Sequence, residues 1–181
     1  HPAREMKIIG ITGTKGKTTT TYMVKSILEN AGHKVGLIGT IETIIGEKVI
    51  PSANTTPESM LVQQYFAEML EAGCDCVVME VSSQGLEQKR VGPCQFKIGV
   101  FTHLTQDHLD VHGSMENYYQ AKKMLFDICD TAIINTDDEY GKRLCEEIQC
   151  NKYSYGKSES VDFSLIIMFA SNIAVRIPSP V

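Results

Sequence analysis

The chain has 181 residues, 43% hydrophobic and 22% charged, with a formal net charge of −5. That length supports one domain with a sizeable core, and the acidic balance argues against a nucleic-acid partner. No apolar run reaches the ~20 residues of a membrane span, and His1-Pro2-Ala3-Arg4-Glu5 is not a signal peptide.

From the N-terminus, apolar runs alternate with longer amphipathic segments. Strands are predicted over Lys7–Thr12, Val35–Gly39, Cys76–Val81, Ile98–Thr102 and Ala132–Asn135. Helices are predicted over Thr18–Ala31, Pro57–Ala72, Met115–Cys129 and Asp138–Gln149. Glu42 to Val49 reads as a short hairpin around Gly46. Continuous apolar strands between helices predict an α/β fold: a mostly parallel sheet flanked by helices on both faces. The tail after Tyr153 gives no clear element, although Ser164 to Ala170 is apolar and Pro178 and Pro180 close the chain. The six cysteines include no CxxC pair. Cys74-x-Cys76 is a weak metal signal, and reduced structural thiols in a cytoplasmic protein are the better expectation.

The segment Lys7 to Thr21, KIIGITGTKGKTTTT, carries the strongest chemical signal. An apolar strand, a Gly-rich turn and a helix N-terminus in that order converge backbone N–H groups and the helix dipole on an anion. Lys17 would reach the outer phosphates of a nucleotide and the Thr18 hydroxyl would ligate Mg²⁺. The glycines fall at Gly10, Gly13 and Gly16, a tighter spacing than the usual phosphate loop. A turn that only joins strand to helix is the alternative, and Lys17 and Thr18 both in place after an apolar strand argue against it.

Ligands of open α/β sheets sit at the carboxyl ends of the strands, and polar groups follow each predicted strand here. Gly39-Thr40 follows the second, and Glu80, Ser82 and Ser83 the third. His103, Asp107, His108, Asp110 and His112 follow the fourth, and Asn135-Thr136-Asp137-Asp138 the last. Glu80 stands as the acidic residue of a Walker B element does, and a carboxylate there would hold Mg²⁺. His108 can join such a cation site, and His112 is a lesser candidate. Lys122 sits at the centre of an apolar stripe of Tyr118, Tyr119, Leu125 and Phe126. It must snorkel, pair, or change chemistry, for example by forming a carbamate with CO₂. Thr56 reads as an N-cap with Pro57 at the first helical position. Ser82, Ser83, Gln88 and Arg90 are candidates for an anionic substrate.

The blocks GITGTKGKTTT (Gly10–Thr20), NTTPES (Asn54–Ser59), MEVSSQGLEQKRV (Met79–Val91), TQDHLDVHGSMENYYQAK (Thr105–Lys122) and INTDDE (Ile134–Glu139) together resemble the Mur ligases. The nearest branch is the one that adds the third residue of the peptidoglycan stem peptide. The resemblance implies an ATP-dependent ligase of cell-wall synthesis, in which a carboxylate of UDP-MurNAc-L-Ala-D-Glu is activated as an acyl phosphate and then attacked by an amino acid. By position, it implies that Gly13, Thr14, Lys15, Gly16, Lys17, Thr18 and Thr19 bind ATP, with Asn135 and Asp137 near the nucleotide. It implies one Mg²⁺ on Thr18, Glu80 and Thr40, and a second supported by His108 and a carbamylated Lys122. Asn54, Thr55, Thr56, Ser82, Gln88 and Arg90 would bind the muramoyl-dipeptide. Lys17, Glu80, His108 and Lys122 would carry the chemistry.

Lys15, Gln84, His103 and Gln106 depart from the residues common in the family, where Asn, His, Asn and Arg stand. The chain is too short for the family's N-terminal UDP-binding and C-terminal amino-acid-binding domains. Residues 1–181 are therefore expected to be a central ATP-binding domain fragment, inactive alone, of an enzyme that is monomeric when complete. A folylpolyglutamate- or cyanophycin-type ligase and a non-catalytic nucleotide-binding module are the alternatives.

Overall fold

The computed structural model describes residues 2–107, 109–158, 160–167 and 173–175. Strand β1 (Lys7–Thr12) lies near the middle of a ten-stranded sheet, between β5 (Cys76–Glu80) and β6 (Phe96–Phe101). Beyond β5 come β2 (Val35–Ile38) and a hairpin of β3 (Glu42–Ile45) and β4 (Lys48–Pro51). Beyond β6 come β7 (Cys129–Asn135), β8 (Asn151–Gly156), β9 (Phe163–Ile167) and β10 (Ile173–Val175). Every neighbouring pair from β9 to β2 is parallel, and the antiparallel pairs lie at the two edges.

The continuous apolar runs have the expected cause. The residues of β2 and β5 are all buried, as in a strand covered on both faces. On one face, Val24 and Leu28 of α1 (Lys17–Asn30) pack on Ile9, Ile11, Val35 and Val78. On the other, the core joins Ile8, Val77, Met79 and Phe101 of the sheet to three helices. These are α2 (Ser59–Glu71) through Phe66 and Met69, α5 (Met115–Lys123) through Tyr118 and Tyr119, and α6 (Glu139–Glu147) through Leu144. Two short helices, α3 (Ser83–Glu87) and α4 (Leu109–His112), lie in the connections after β5 and β6. Among the described residues no helix is long and apolar enough to cross a membrane.

Several expected boundaries move. The predicted helix Met115–Cys129 ends at Lys123, and a 3₁₀ turn, Met124–Asp127, buries Leu125 and Phe126 before Cys129 opens β7. The Phe96 N–H donates to the Ile128 carbonyl, so sheet pairing claims the end of that apolar run. Helix α2 begins at Ser59 rather than Pro57, and Thr56 is not its N-cap. The Thr56 hydroxyl instead donates to the Glu80 carbonyl and accepts from the Ser82 N–H. The tail supplies β8, β9 and β10, while Pro178 and Pro180 lie outside the described residues.

Helix α3 closes with the Arg90 N–H on the Gly85 carbonyl and the Lys89 N–H on the Leu86 carbonyl. This is the paired C-terminal motif that normally places glycine in the left-handed position. Here that residue is Lys89, at φ 55°. Substituting Lys89→Gly relieves this conformation, and thermal denaturation is expected to show a gain of about 0.5–1 kcal/mol.

Candidate functional site

Strand β1 ends where the phosphate-loop residues begin, and the loop is anchored to the end of β6. The Thr14 N–H donates to the His103 carbonyl (2.8 Å), and the Thr102 hydroxyl donates to the Lys15 carbonyl (2.8 Å). Gly13, at φ 142°, lies so close to Thr102 that a Cβ would fall 1.9 Å from its Oγ1. Gly16 caps α1 in the left-handed region at φ 83° with no side-chain cap, which leaves the first N–H groups of the helix to a ligand. Lys17 Nζ folds back on the loop, donating to the carbonyls of Gly13 (3.0 Å) and Thr14 (3.1 Å). Burial lowers its pKa, against the opposing pull of Glu80 and Asp107.

Glu80 closes β5 with 1% of its surface exposed. Its Oε1 accepts from the Thr40 N–H (2.8 Å), and its Oε2 from the hydroxyls of Thr18 and Thr40 (3.0 Å each). These side chains come from three separate elements. A carboxylate with two hydroxyls is an all-oxygen donor set, which fits a hard divalent cation.

Lys122, on α5, is 1% exposed and does not snorkel. Its Nζ donates to the Gly13 carbonyl (2.9 Å) and stands 4.5 Å from the Tyr118 ring centroid. Burial above all, then the Lys17 charge, lowers its pKa to about 7. A substantial neutral fraction at neutral pH is what reaction with CO₂ requires, so the residue fits the carbamate expected of it. His108 lies outside the described residues.

A cavity of about 310 Å³ opens beside these groups. Lys17, Thr40 and Lys122 line it on one side, and Asn54, Thr55, Thr56, Ser82 and Arg90 on the other. Arg90 donates to the Thr56 carbonyl (2.8 Å) and pairs with Glu58 (2.8 Å). Gln88, expected with Arg90 to bind the substrate, is exposed at the end of α3 and does not line the cavity. Asn135 closes β7 and Asp137 follows it. Asp137 lines a different cavity, with Thr136 and Ser154, and accepts from the Lys157 N–H. His112 turns its ring onto Ser83 and Tyr118. The sequence pattern does not single out Thr102, and it marks Tyr118 only as part of the apolar stripe around Lys122. Thr102 sits at a strand end like the other site residues, which was the available signal. The six cysteines are free thiols, and Cys76 lies with His33 and Asp75 at the opposite edge of the sheet.

A family model described as the Mur ligase middle domain matches residues 11–174. The chain belongs to the Mur ligase family. This Mur ligase domain is 52% identical over 162 residues to a UDP-N-acetylmuramoyl-L-alanyl-D-glutamate–2,6-diaminopimelate ligase of Clostridium acetobutylicum, covering 90% of the chain and 34% of that relative. It is 50% identical over 168 residues to the ligase of the same name from Clostridium tetani, covering 89% and 35%. A solved structure of a ligase of that name superimposes with a TM-score of 0.81 at 28% identity, covering 88% of this chain and 34% of that one. A MurF from Acinetobacter baumannii shares the fold at a TM-score of 0.71 and 19% identity, over 92% and 35% of the two chains. The domain thus spans about a third of the length of these relatives.

The buried amine of this Mur ligase domain has a consequence for stability. Between pH 7 and its ordinary value of 10.5, Lys122 holds a proton in the unfolded chain that the folded one has largely released. Stability from this residue is therefore lowest below pH 7 and rises with pH through that window. In CO₂-free buffer, denaturant titrations at pH 7 and pH 9 are expected to show a rise of about 2 kcal/mol that Lys122→Met abolishes.

Proposed function

We propose that this domain is the ATP-binding centre of a cytoplasmic ligase that adds an amino acid to UDP-MurNAc-L-Ala-D-Glu, an N-terminal domain holding the UDP end and a C-terminal domain selecting the amino acid. The names of the relatives favour 2,6-diaminopimelate as that amino acid. The observation that carries the reading is the cavity into which the phosphate-loop lysine, the buried Lys122 and the Asn54–Thr56 and Ser82 segments all face.

The open N-terminus of α1 and Lys17 would take the β- and γ-phosphates of ATP, with Thr14, Lys15, Gly16 and Thr19 completing the cradle. Thr18, Thr40 and Glu80 would hold one Mg²⁺, and a carbamate on Lys122 with His108 a second; bound there, such ions neutralise phosphate charge. Arg90 and the Asn54–Thr56 segment would orient the glutamyl carboxylate for attack on the γ-phosphate. Lys17 brings positive charge to where the transferred phosphoryl group gathers negative charge. Asn135 and Asp137 would lie at the nucleoside end.

Calorimetric titration of Mg·ATP into the 181-residue chain tests the first step. Binding is expected in the parent and a loss of about tenfold or more in Lys17→Ala. A folded parent that binds no nucleotide would overturn the independent cradle. Amide formation from UDP-MurNAc-L-Ala-D-Glu and diaminopimelate by the complete polypeptide tests the second.

A further inference from the structure

The cavity has one wall that neither phosphate nor cation chemistry uses. Ser83, 5% exposed, lines it beside Ser82 and Lys122. Its Oγ lies 2.9 Å from His112 Nε2. The imidazole is itself buried, with 1% of its side chain exposed, and stacks on Tyr118 at 4.8 Å between centroids. The Asn117 amide holds the His112 carbonyl at 2.9 Å. On its other side, Nδ1 makes no hydrogen bond among the described residues, yet Glu87 Oε1 stands 3.4 Å away. Glu87 is 43% exposed and lines, with His112, Asn117 and Gln120, a second cavity of about 550 Å³. The imidazole thus lies between the two cavities, with a hydroxyl at its inner nitrogen and a half-exposed carboxylate near its outer one. The titratable groups facing it are Glu87 from α3 and Tyr118 from α5, with Lys122 against the Tyr118 ring.

Lys17 and Arg90 suit anions, and Lys122 is committed to the proposed cation site. Amide formation also requires that the attacking amine lose a proton, and cationic side chains are poor acceptors. A carboxylate can only accept, so Glu87 favours the tautomer with hydrogen on Nδ1 and a lone pair on Nε2 toward Ser83.

Resting on the ligase reading above, we propose that Ser83 and His112 form the proton exit of the amide-forming step. Ser83 is the catalytic group that touches the incoming amine, and His112 is the positioning residue behind it. As the neutral amine forms its bond to the acyl carbon, its N–H proton passes to Ser83 Oγ. The Ser83 hydroxyl proton passes to His112 Nε2. The acyl carbon–oxygen bond to phosphate breaks, and its electron pair leaves with phosphate. The imidazolium then passes its Nδ1 proton to the Glu87 carboxylate, which lines the outer cavity.

Single-turnover measurements on the complete ligase, with ATP, UDP-MurNAc-L-Ala-D-Glu and diaminopimelate, separate the two steps. Acyl phosphate is read as the hydroxamate trapped by hydroxylamine, and the amide product directly. In Ser83→Ala and His112→Gln, acyl phosphate should still accumulate while amide formation falls by about 100-fold or more. Ser83→Thr, which keeps a hydroxyl, should retain most of the rate. Glutamine can hold the Ser83 hydroxyl but cannot carry the proton, so recovery in His112→Gln would reduce the histidine to a structural tie and overturn the relay. Parallel loss of both steps, or an amide rate near the parent's in Ser83→Ala, would overturn it as well. A parent that forms no hydroxamate would remove the ligase reading and the relay together.

Discussion

Glu80 carries a carboxylate into the carboxyl edge of the sheet with 1% of its surface exposed, and three donors from two other segments meet it there. A buried charge without partners is costly, so the strand end, the loop after β2 and the first turn of α1 must be placed together for the chain to fold. The Glu80 backbone carbonyl accepts from Thr56, whose own carbonyl accepts from Arg90. One strand end therefore sets the proposed cation ligands and the proposed substrate rim in a single connected web. Loss of either threonine hydroxyl removes both a ligand and a partner of the buried charge.

Positive charge is arranged with equal economy. The Gly13 carbonyl receives the ammonium groups of both Lys17 and Lys122, drawn from helices on opposite faces of the sheet. Burial, and then repulsion from Lys17, lowers the pKa of Lys122, so the amine remains partly neutral. Phosphate oxygens entering the cradle would relieve Lys17. A carbamate would reverse the sign at Lys122. The Gly13–Lys17 loop and the α5 lysine are thus electrostatically coupled, and an anion bound in the loop would bear on both.

His112 ties that region to the Ser82–Arg90 segment. Its ring joins Ser83 of α3 to Tyr118 of α5, and the Tyr118 hydroxyl is hydrogen-bonded to Thr14 of the phosphate loop. Packed rings and hydrogen bonds thus join three walls of the cavity.

Much of this was legible in the residue order. β1 runs Lys7–Thr12 as read from its apolar pattern, and Thr18, Thr40 and Glu80 meet as strand-end polarity implied. Local patterning decides such features, because burial on both faces demands continuous apolar runs and parallel strands present their carboxyl ends together. Tertiary contact decided the rest. Thr56 has the sequence context of a helix cap and becomes a partner of Glu80, 24 residues away. The α5 pattern continues to Cys129, but pairing with β6 converts its end into a 3₁₀ turn and a strand. The sequence by itself determined the parallel α/β scaffold and which side chains reach its carboxyl edge. Only the folded chain decided that Lys122 is buried rather than snorkelling and that Ser83 faces His112, because both depend on contacts between segments that periodicity cannot register.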